Sequence, residues 1–268
     1  MKTEFNAVVS QKITISSSLM ILQIVPVGWE LPEFKPGQFT MLALPVTSPV
    51  VPEAESPEGG DENVWIRRPY SATSARDQKD YIEFYIRLVY SGELTPRLFA
   101  LNTGDQLYMF PKLRGILTMD DVEEDKNIIF IATGTGLAPY MSMIRSGILC
   151  RDKRKIAIIH GALNSGDLGF RAELEHLEKL CDNFSYIPVI SHQDTEKIPW
   201  GGKTGFVQNI WNENVIDDIW QNDVTPENTA VFLCGHPEMI RQMTDLLGAG
   251  GFKPYDRKKG GSLFYEDW

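Results

Sequence analysis

The chain has little of what builds metal centres or cross-linked scaffolds. Its three cysteines, Cys150, Cys181 and Cys234, are odd in number and widely spaced in 268 residues. They make no disulfide framework and offer no Cys-x-x-Cys pair to zinc or an iron–sulfur cluster. Reduced thiols and a cytoplasmic setting are the expectation. The four histidines are scattered, without the spacing of a metal site. No apolar run approaches the roughly 20 residues of a membrane-spanning helix. The longest, residues 19–27, is interrupted by Gln23 and Pro26, and the alternating Val8, Ile13 and Ile15 before it suit a barrel strand better than a signal peptide. Positive charge is also short: 26 Lys and Arg against 36 Asp and Glu leave a formal net charge of −10. That balance argues against nucleic acid as a partner, because phosphate binding needs a basic surface. Arg257-Lys258-Lys259 is a local basic exception, and by composition alone a solvated turn.

What is present changes character along the chain. Before about residue 120, short alternating segments such as 81–89 are separated by turn-like Lys35-Pro36-Gly37-Gln38 and Asn102-Thr103-Gly104-Asp105. Many short strands without helical periodicity predict a small antiparallel barrel. Residues 45–63 are rich in Pro, Glu and Gly and read as a mobile surface insertion between two strands. The acidic stretch 120–125 lacks the spacing of a calcium loop and reads as a linker. After it, apolar runs at 128–132, 156–159, 186–190 and 230–233 alternate with helical patterns at 139–144, 171–180 and from Pro237. That alternation predicts a parallel sheet covered on both faces.

Three segments carry chemistry. Gly134-Thr135-Gly136-Leu137-Ala138-Pro139 ends a strand and opens a helix. Backbone N–H groups there can face a pyrophosphate, and a Cβ would block that approach. Proline stands where the usual dinucleotide fingerprint has its third glycine, and no acidic residue ends a following strand to grip a ribose. By its residues the segment is either a phosphate cradle or a plain strand-to-helix turn. In Arg68-Pro69-Tyr70-Ser71, proline keeps the backbone extended, so Arg68 and Tyr70 share a face. A guanidinium can grip a diphosphate while an aromatic ring stacks on a planar heterocycle, and Ser71 can offer its hydroxyl or N–H to a ring nitrogen. A barrel strand with a surface arginine is the plainer alternative. Cys234 ends an apolar strand before Gly235. It is either a buried inert thiol or, at the carboxyl end of a parallel strand, a contact for a bound nicotinamide.

Taken in order, five motifs resemble the bacterial ferredoxin–NADP reductases of the flavodoxin/ferredoxin reductase superfamily. They are Arg68-Pro69-Tyr70-Ser71; Glu83-Phe84-Tyr85-Ile86 leading to Gly92-Glu93-Leu94-Thr95-Pro96-Arg97-Leu98; the glycine segment from Ala132 to Tyr140; Leu233-Cys234-Gly235-His236-Pro237-Glu238-Met239; and a terminal Trp268. The resemblance covers the whole chain apart from the 45–63 insertion. It implies an antiparallel β-barrel FAD-binding domain over residues 1–122. An α/β domain with a parallel sheet, binding NADP(H), follows over 123–268, its tail returning to the flavin.

Carried over by position, Arg68 and Pro69 with the backbone of Gly92, Glu93, Leu94 and Thr95 hold the FAD pyrophosphate. Tyr70 stacks on the isoalloxazine, Ser71 sits beside its N5, and Phe84, Tyr85 and Ile86 complete the flavin site. Gly134, Thr135, Gly136, Leu137, Pro139, Cys234 and Gly235 form the nicotinamide-nucleotide site, Thr135 and Cys234 lining its nicotinamide pocket. Trp268 packs on the adenine side. Ser71, Cys234 and Glu266 are the catalytic candidates, although Phe264-Tyr265-Glu266-Asp267-Trp268 departs from relatives ending in Tyr-Trp.

Leu163, His192 and Phe206 stand where arginines of NADP-selective relatives hold the 2′-phosphate, which leaves NADPH against NADH open, with Arg171 or Lys203 as substitute cations and Asp194 nearby. The implied activity is hydride transfer between nicotinamide C4 and flavin N5, then single-electron steps with ferredoxin or flavodoxin docking near Arg257, Lys258 and Lys259, with Lys112 and Arg114. The alternatives are an NADH-dependent reductase component of an oxygenase and a non-catalytic flavin subunit of a larger complex.

Overall fold

The computed structural model describes residues 4–55, 60–61, 63–149 and 154–266. The chain divides into two compact units: Met1–Thr118 with Met141–Ser146, and Met119–Tyr140 with Gly147–Trp268.

The first unit contains β1 (Ala7–Ser16), β2 (Leu19–Pro26), β3 (Phe39–Pro45), β4 (Trp65–Ser71), β5 (Ile82–Arg87), the short helix α1 (Thr95–Ala100) and β6 (Gln106–Met109). Its sheet runs β4-β3-β6-β1-β2-β5, every pair antiparallel. A bridge between Ala72 and Phe84 joins the two edges, so the sheet closes into a barrel and leaves no open edge there. Alternate residues point inward, Leu22 and Ile24, Leu42 and Leu44, Phe84 and Ile86, Leu107 and Met109, and these form the core.

Two buried charges lock this unit. Glu83 accepts from Thr73 Oγ1 at 2.7 Å, Arg145 Nη1 at 2.6 Å and Gln23 Nε2 at 3.1 Å. That carboxylate is therefore satisfied by a charge and two neutral donors. Arg97, also buried, donates to the Val46 carbonyl from Nη2 and to the Glu93 carbonyl from Nη1, each at 2.6 Å. The insertion expected to be mobile is tied down in its described part. Val46 N donates to Val64 O, Val51 N to Pro96 O and Glu55 N to Tyr90 O. Composition shows a lack of apolar residues and does not show backbone donors that find partners elsewhere.

The second unit contains β7 (Asn127–Thr133), a 3-10 turn (Gly134–Leu137), the start of α2 (Ala138–Met143), β8 (Ile156–Ala162), α3 (Arg171–Leu180), β9 (Phe184–Ile190), β10 (Lys203–Thr204), α4 (Val207–Asn212), α5 (Val215–Trp220), β11 (Thr229–Cys234), α6 (Pro237–Ala249) and β12 (Leu263–Glu266). All strands are parallel, in the order β10-β9-β8-β7-β11-β12. The chain builds outward from β7 to β9, then returns to place β11 on the other side of β7. Strand order reverses between β7 and β11, which makes their carboxyl ends a topological switch point.

An aromatic row fixes the register on one face. Tyr140 stacks on Phe130 at 4.5 Å, Phe130 meets Phe232 at 5.3 Å, Phe232 stacks on Phe264 at 4.7 Å, and Tyr255 stacks on Phe264 at 4.8 Å. Phe130, Phe232 and Phe264 are direct partners across β7, β11 and β12. Cysteine behaviour departs from expectation: Cys181 is disulfide-bonded, and Cys234 is buried outside any disulfide. Separation along the chain does not measure separation in the fold, and an odd count excludes a complete framework but not one bond. Among the described residues, no helix is long and apolar enough to cross a membrane.

Candidate functional site

On the first unit, β4 presents Arg68 and Tyr70. The Arg68 guanidinium is exposed and fixed at both ends, Nη1 donating to the Arg67 carbonyl at 2.8 Å and Nη2 pairing with Glu93 Oε2 at 2.5 Å. Tyr70 is half-buried, its ring edge-on to Phe84 at 6.5 Å. Burial raises its phenol well above the usual range, partly opposed by the Arg68 charge, so the hydroxyl stays a donor. Ser71 lies opposite Phe39 at the end of the strand. The neighbouring turn is self-supporting. Thr95 Oγ1 accepts from Val89 N at 3.0 Å and lies 3.2 Å from the Val89 carbonyl, Gly92 N donates to the same carbonyl, and Leu94 is buried in the core. A Cβ on Gly92 would meet Val89 O at 3.0 Å.

Phe84, Tyr85 and Ile86 lie on β5. All three side chains are buried, and Phe84 and Ile86 belong to the barrel core. Aromatic and branched residues in a closed barrel serve packing before they serve a ligand.

On the second unit, the glycines lie at the switch point. Gly134 has φ 54°, the left-handed region that glycine adopts without strain. A Cβ on Gly136 would lie 2.1 Å from the Cys234 carbonyl, and one on Gly235 (φ 142°) would lie 2.2 Å from Thr133 Oγ1. The reason for glycine therefore differs from the expected one. Here the close approach is between the ends of β7 and β11, and a methyl group would push the strands apart. Thr133 Oγ1 seals that contact by accepting from His236 N at 2.9 Å. Thr135 is half-buried; Leu137 and Pro139 are buried beneath the turn.

Parallel pairing sets Ala132, Cys234 and Glu266 abreast on β7, β11 and β12. Cys234 is buried and forms no disulfide. Glu266 is partly exposed, yet its Oε2 is buried without a hydrogen-bond partner. Burial pushes its carboxyl up to about 7. Beside them Tyr140 has its phenol raised by burial, then by Cys234 and Glu266. Trp268, the expected adenine contact, lies outside the described residues.

His160 escaped the sequence reading. It is fully buried on β8, with Nδ1 at 3.0 Å from the Tyr186 hydroxyl. Burial pulls it down to about 4, so the imidazole is neutral. The Gly134 main chain faces the ring short of a well-formed bond, leaving Nε2 without a partner. A lone polar residue within an apolar strand run was the available signal. Among the described residues no group of His, Cys, Asp and Glu could hold a metal ion.

Comparison with known proteins agrees with this geometry. Residues 130–245 match the family described as "Oxidoreductase NAD-binding domain". The chain is 27% identical over 208 residues to a flavodoxin/ferredoxin–NADP reductase of Escherichia coli, covering 78% of this chain and 76% of that one. It is 27% identical over 228 residues to a ferredoxin–NADP reductase of Azotobacter vinelandii, covering 82% and 80%. In fold it is similar to a ferredoxin NADP+ reductase from Neisseria gonorrhoeae, with TM-score 0.82 at 21% identity over 99% and 98% of the two chains. The chain is similar in sequence to ferredoxin–NADP reductases and shares the fold of one.

The carboxyl ends of β8 and β9 carry few free cations. Leu163, His192 and Phe206 are exposed, Phe206 at 63%. Both expected substitutes are engaged. Arg171 lies 4.7 Å over the Trp200 ring and pairs with Glu175 at 2.6 Å, and Lys203 pairs with Glu213 at 3.7 Å. A carboxylate holds the turn instead: Glu196 accepts from Ser165 N and Ser165 Oγ, each at 2.6 Å, which lowers its pKa. Elsewhere Arg257, Lys258 and Lys259 are exposed on a turn whose Asp256 Oδ1 accepts from the Lys258 and Lys259 amides. Lys112 is exposed, and Arg114 lies 5.2 Å over Phe110.

The Glu266 shift has a definite sign. Its folded pKa, about 7, lies above the ordinary 4.5, so the folded state binds the proton more tightly and stability falls as pH rises from about 4.5 through 7. Glu266→Gln should remove that loss. Urea unfolding is expected to show the variant gaining on wild type between pH 5 and pH 8; a difference independent of pH would contradict the buried, proton-holding carboxyl.

Proposed function

We propose that the protein is an FAD-dependent oxidoreductase that moves electrons between NADP(H) and ferredoxin or flavodoxin. The observation that carries this reading is the register that sets the buried Cys234 beside Glu266 at the switch point. Bound FAD supplies the exchange of a hydride for two single electrons.

The residues divide the remaining work. Arg68 and the Gly92–Thr95 turn hold the flavin diphosphate, as a charged fork and a set of main-chain donors. Tyr70 covers the flavin ring, and Ser71 addresses its N5. Thr135 with the Gly134–Leu137 turn receives the nucleotide. Hydride transfer needs its two carbon and nitrogen centres held in contact, and Cys234 aligns the nicotinamide as a neutral, polarisable wall. Glu266 holds or passes the proton that accompanies reduction.

One further observation favours a second reading, an NADH-dependent reductase component of an oxygenase. Arg171 and Lys203 are engaged by carboxylates, and no arginine stands at 163, 192 or 206.

The first test is an anaerobic titration of the full chain with NADPH and NADH, following the visible absorption of bound flavin. Bleaching by NADPH supports the primary reading, selective bleaching by NADH the second, and a protein that neither retains nor rebinds added FAD sinks both. In stopped-flow mixing, Cys234→Ala should slow flavin reduction about 10- to 100-fold with FAD retained, the range expected when a reacting pair loses alignment; an unchanged rate would remove Cys234 from the site. Arg257, Lys258 and Lys259 are proposed to dock the acidic acceptor by electrostatic steering. Reduction of ferredoxin should then slow steeply with salt and with charge neutralisation there, whereas dye reduction should not. Equal salt dependence for both acceptors would rule out docking at this turn.

A further inference from the structure

The Arg68–Glu93 pair has a consequence for flavin affinity, and it rests on the reading of Arg68 as the diphosphate ligand. We propose that the Glu93 side chain is a negative determinant at that site: it competes with the flavin diphosphate for Arg68 and keeps the flavin more weakly held than the site allows.

Four observations support this. Glu93 Oε2 lies 2.5 Å from Arg68 Nη2, on one of the two terminal nitrogens that a bidentate diphosphate contact would use. The other, Nη1, donates to the Arg67 carbonyl at 2.8 Å, so the guanidinium cannot simply rotate to present two free edges. Both partners are solvent-exposed, at 52% and 62% of their side chains, and such a pair is weak enough for a ligand to displace. Glu93 cannot leave, however. Arg97, buried, grips the Glu93 carbonyl at 2.6 Å and the Val46 carbonyl at 2.6 Å, so the residue's main chain is pinned beside Arg68. A displaced carboxylate therefore stays on the same turn as the main-chain donors assigned to the diphosphate, where like charges repel. The main chain of Glu93 and its side chain thus act in opposite directions, one shaping the turn and the other opposing its ligand.

The experiment is a double-mutant cycle on FAD affinity with the full chain, comparing wild type, Glu93→Gln, Arg68→Ala and the double variant by quenching of flavin fluorescence. Glu93→Gln is expected to tighten FAD binding about two- to five-fold, the equilibrium equivalent of an exposed ion pair. Arg68→Ala is expected to weaken it, and in that background Glu93→Gln should lose most of its effect. Unchanged or weaker binding by Glu93→Gln overturns the proposal, as does a gain that survives intact without Arg68. If Arg68→Ala leaves affinity unchanged, the diphosphate role of Arg68 fails and the proposal fails with it. Because both side chains are exposed, these variants report binding with little effect on folding.

Discussion

The parallel register of β7, β11 and β12 is the constraint on which the site in the second unit depends. Three phenylalanines, one per strand, lie directly opposite one another and form a continuous stack with Tyr140 and Tyr255. A slip by one residue would turn each ring to the other face of the sheet. Two residues further along, that same register sets Ala132, Cys234 and Glu266 abreast. The chemistry at the carboxyl ends is thus positioned by packing in the middle of the strands. Glycines at 136 and 235 let the strand ends meet without a methyl group between them.

Charge is handled in two ways. Glu83 and Arg97 are buried and have several partners each, so they act as locks, and removing one partner would strand a charge in the core. Arg68 is exposed and held by a single carboxylate that a ligand can replace. Glu266 is intermediate. It is buried enough to keep a proton near neutral pH and has an oxygen with no partner, a combination that suits a group whose protonation changes during turnover.

Much of the fold was legible because the sequence marks its own period. Alternation from β1 to β6 and continuous apolar runs at β7, β8, β9 and β11 reflect one-sided and two-sided burial. Helices α3 and α6 begin where the helical patterns at Arg171 and Pro237 place them. Helices α4 and α5 went unread because each is six residues long, too short to show a period before Asn214 breaks it in the left-handed region. The association of 141–146 with the first unit was also hidden. It depends on Ser142 and Arg145 reaching Ser74 and Glu83, partners some 60 to 70 residues away. The motifs named candidate site residues, and side-chain burial, which motifs do not show, places Phe84 and Ile86 in the barrel core. Only coordinates could show that Arg68 already has a partner.

The two anion subsites of the proposed reading have a common character that the net charge of −10 anticipates. At the proposed flavin diphosphate site, the exposed Arg68 guanidinium is answered by Glu93. At the adenosine end, Arg171 is taken by Glu175 and Trp200, Lys203 by Glu213, and Glu196 closes the Ser165 turn. Free cations are few at both places, so ligand binding must draw on main-chain donors and on stacking against half-buried rings such as Tyr70. Contacts of that kind are short-ranged and weakly screened, unlike attraction between exposed charges. The exposed basic turn at 257–259 is then the exception in an acidic chain, and on the proposed reading its long-range attraction serves a macromolecular partner rather than a cofactor.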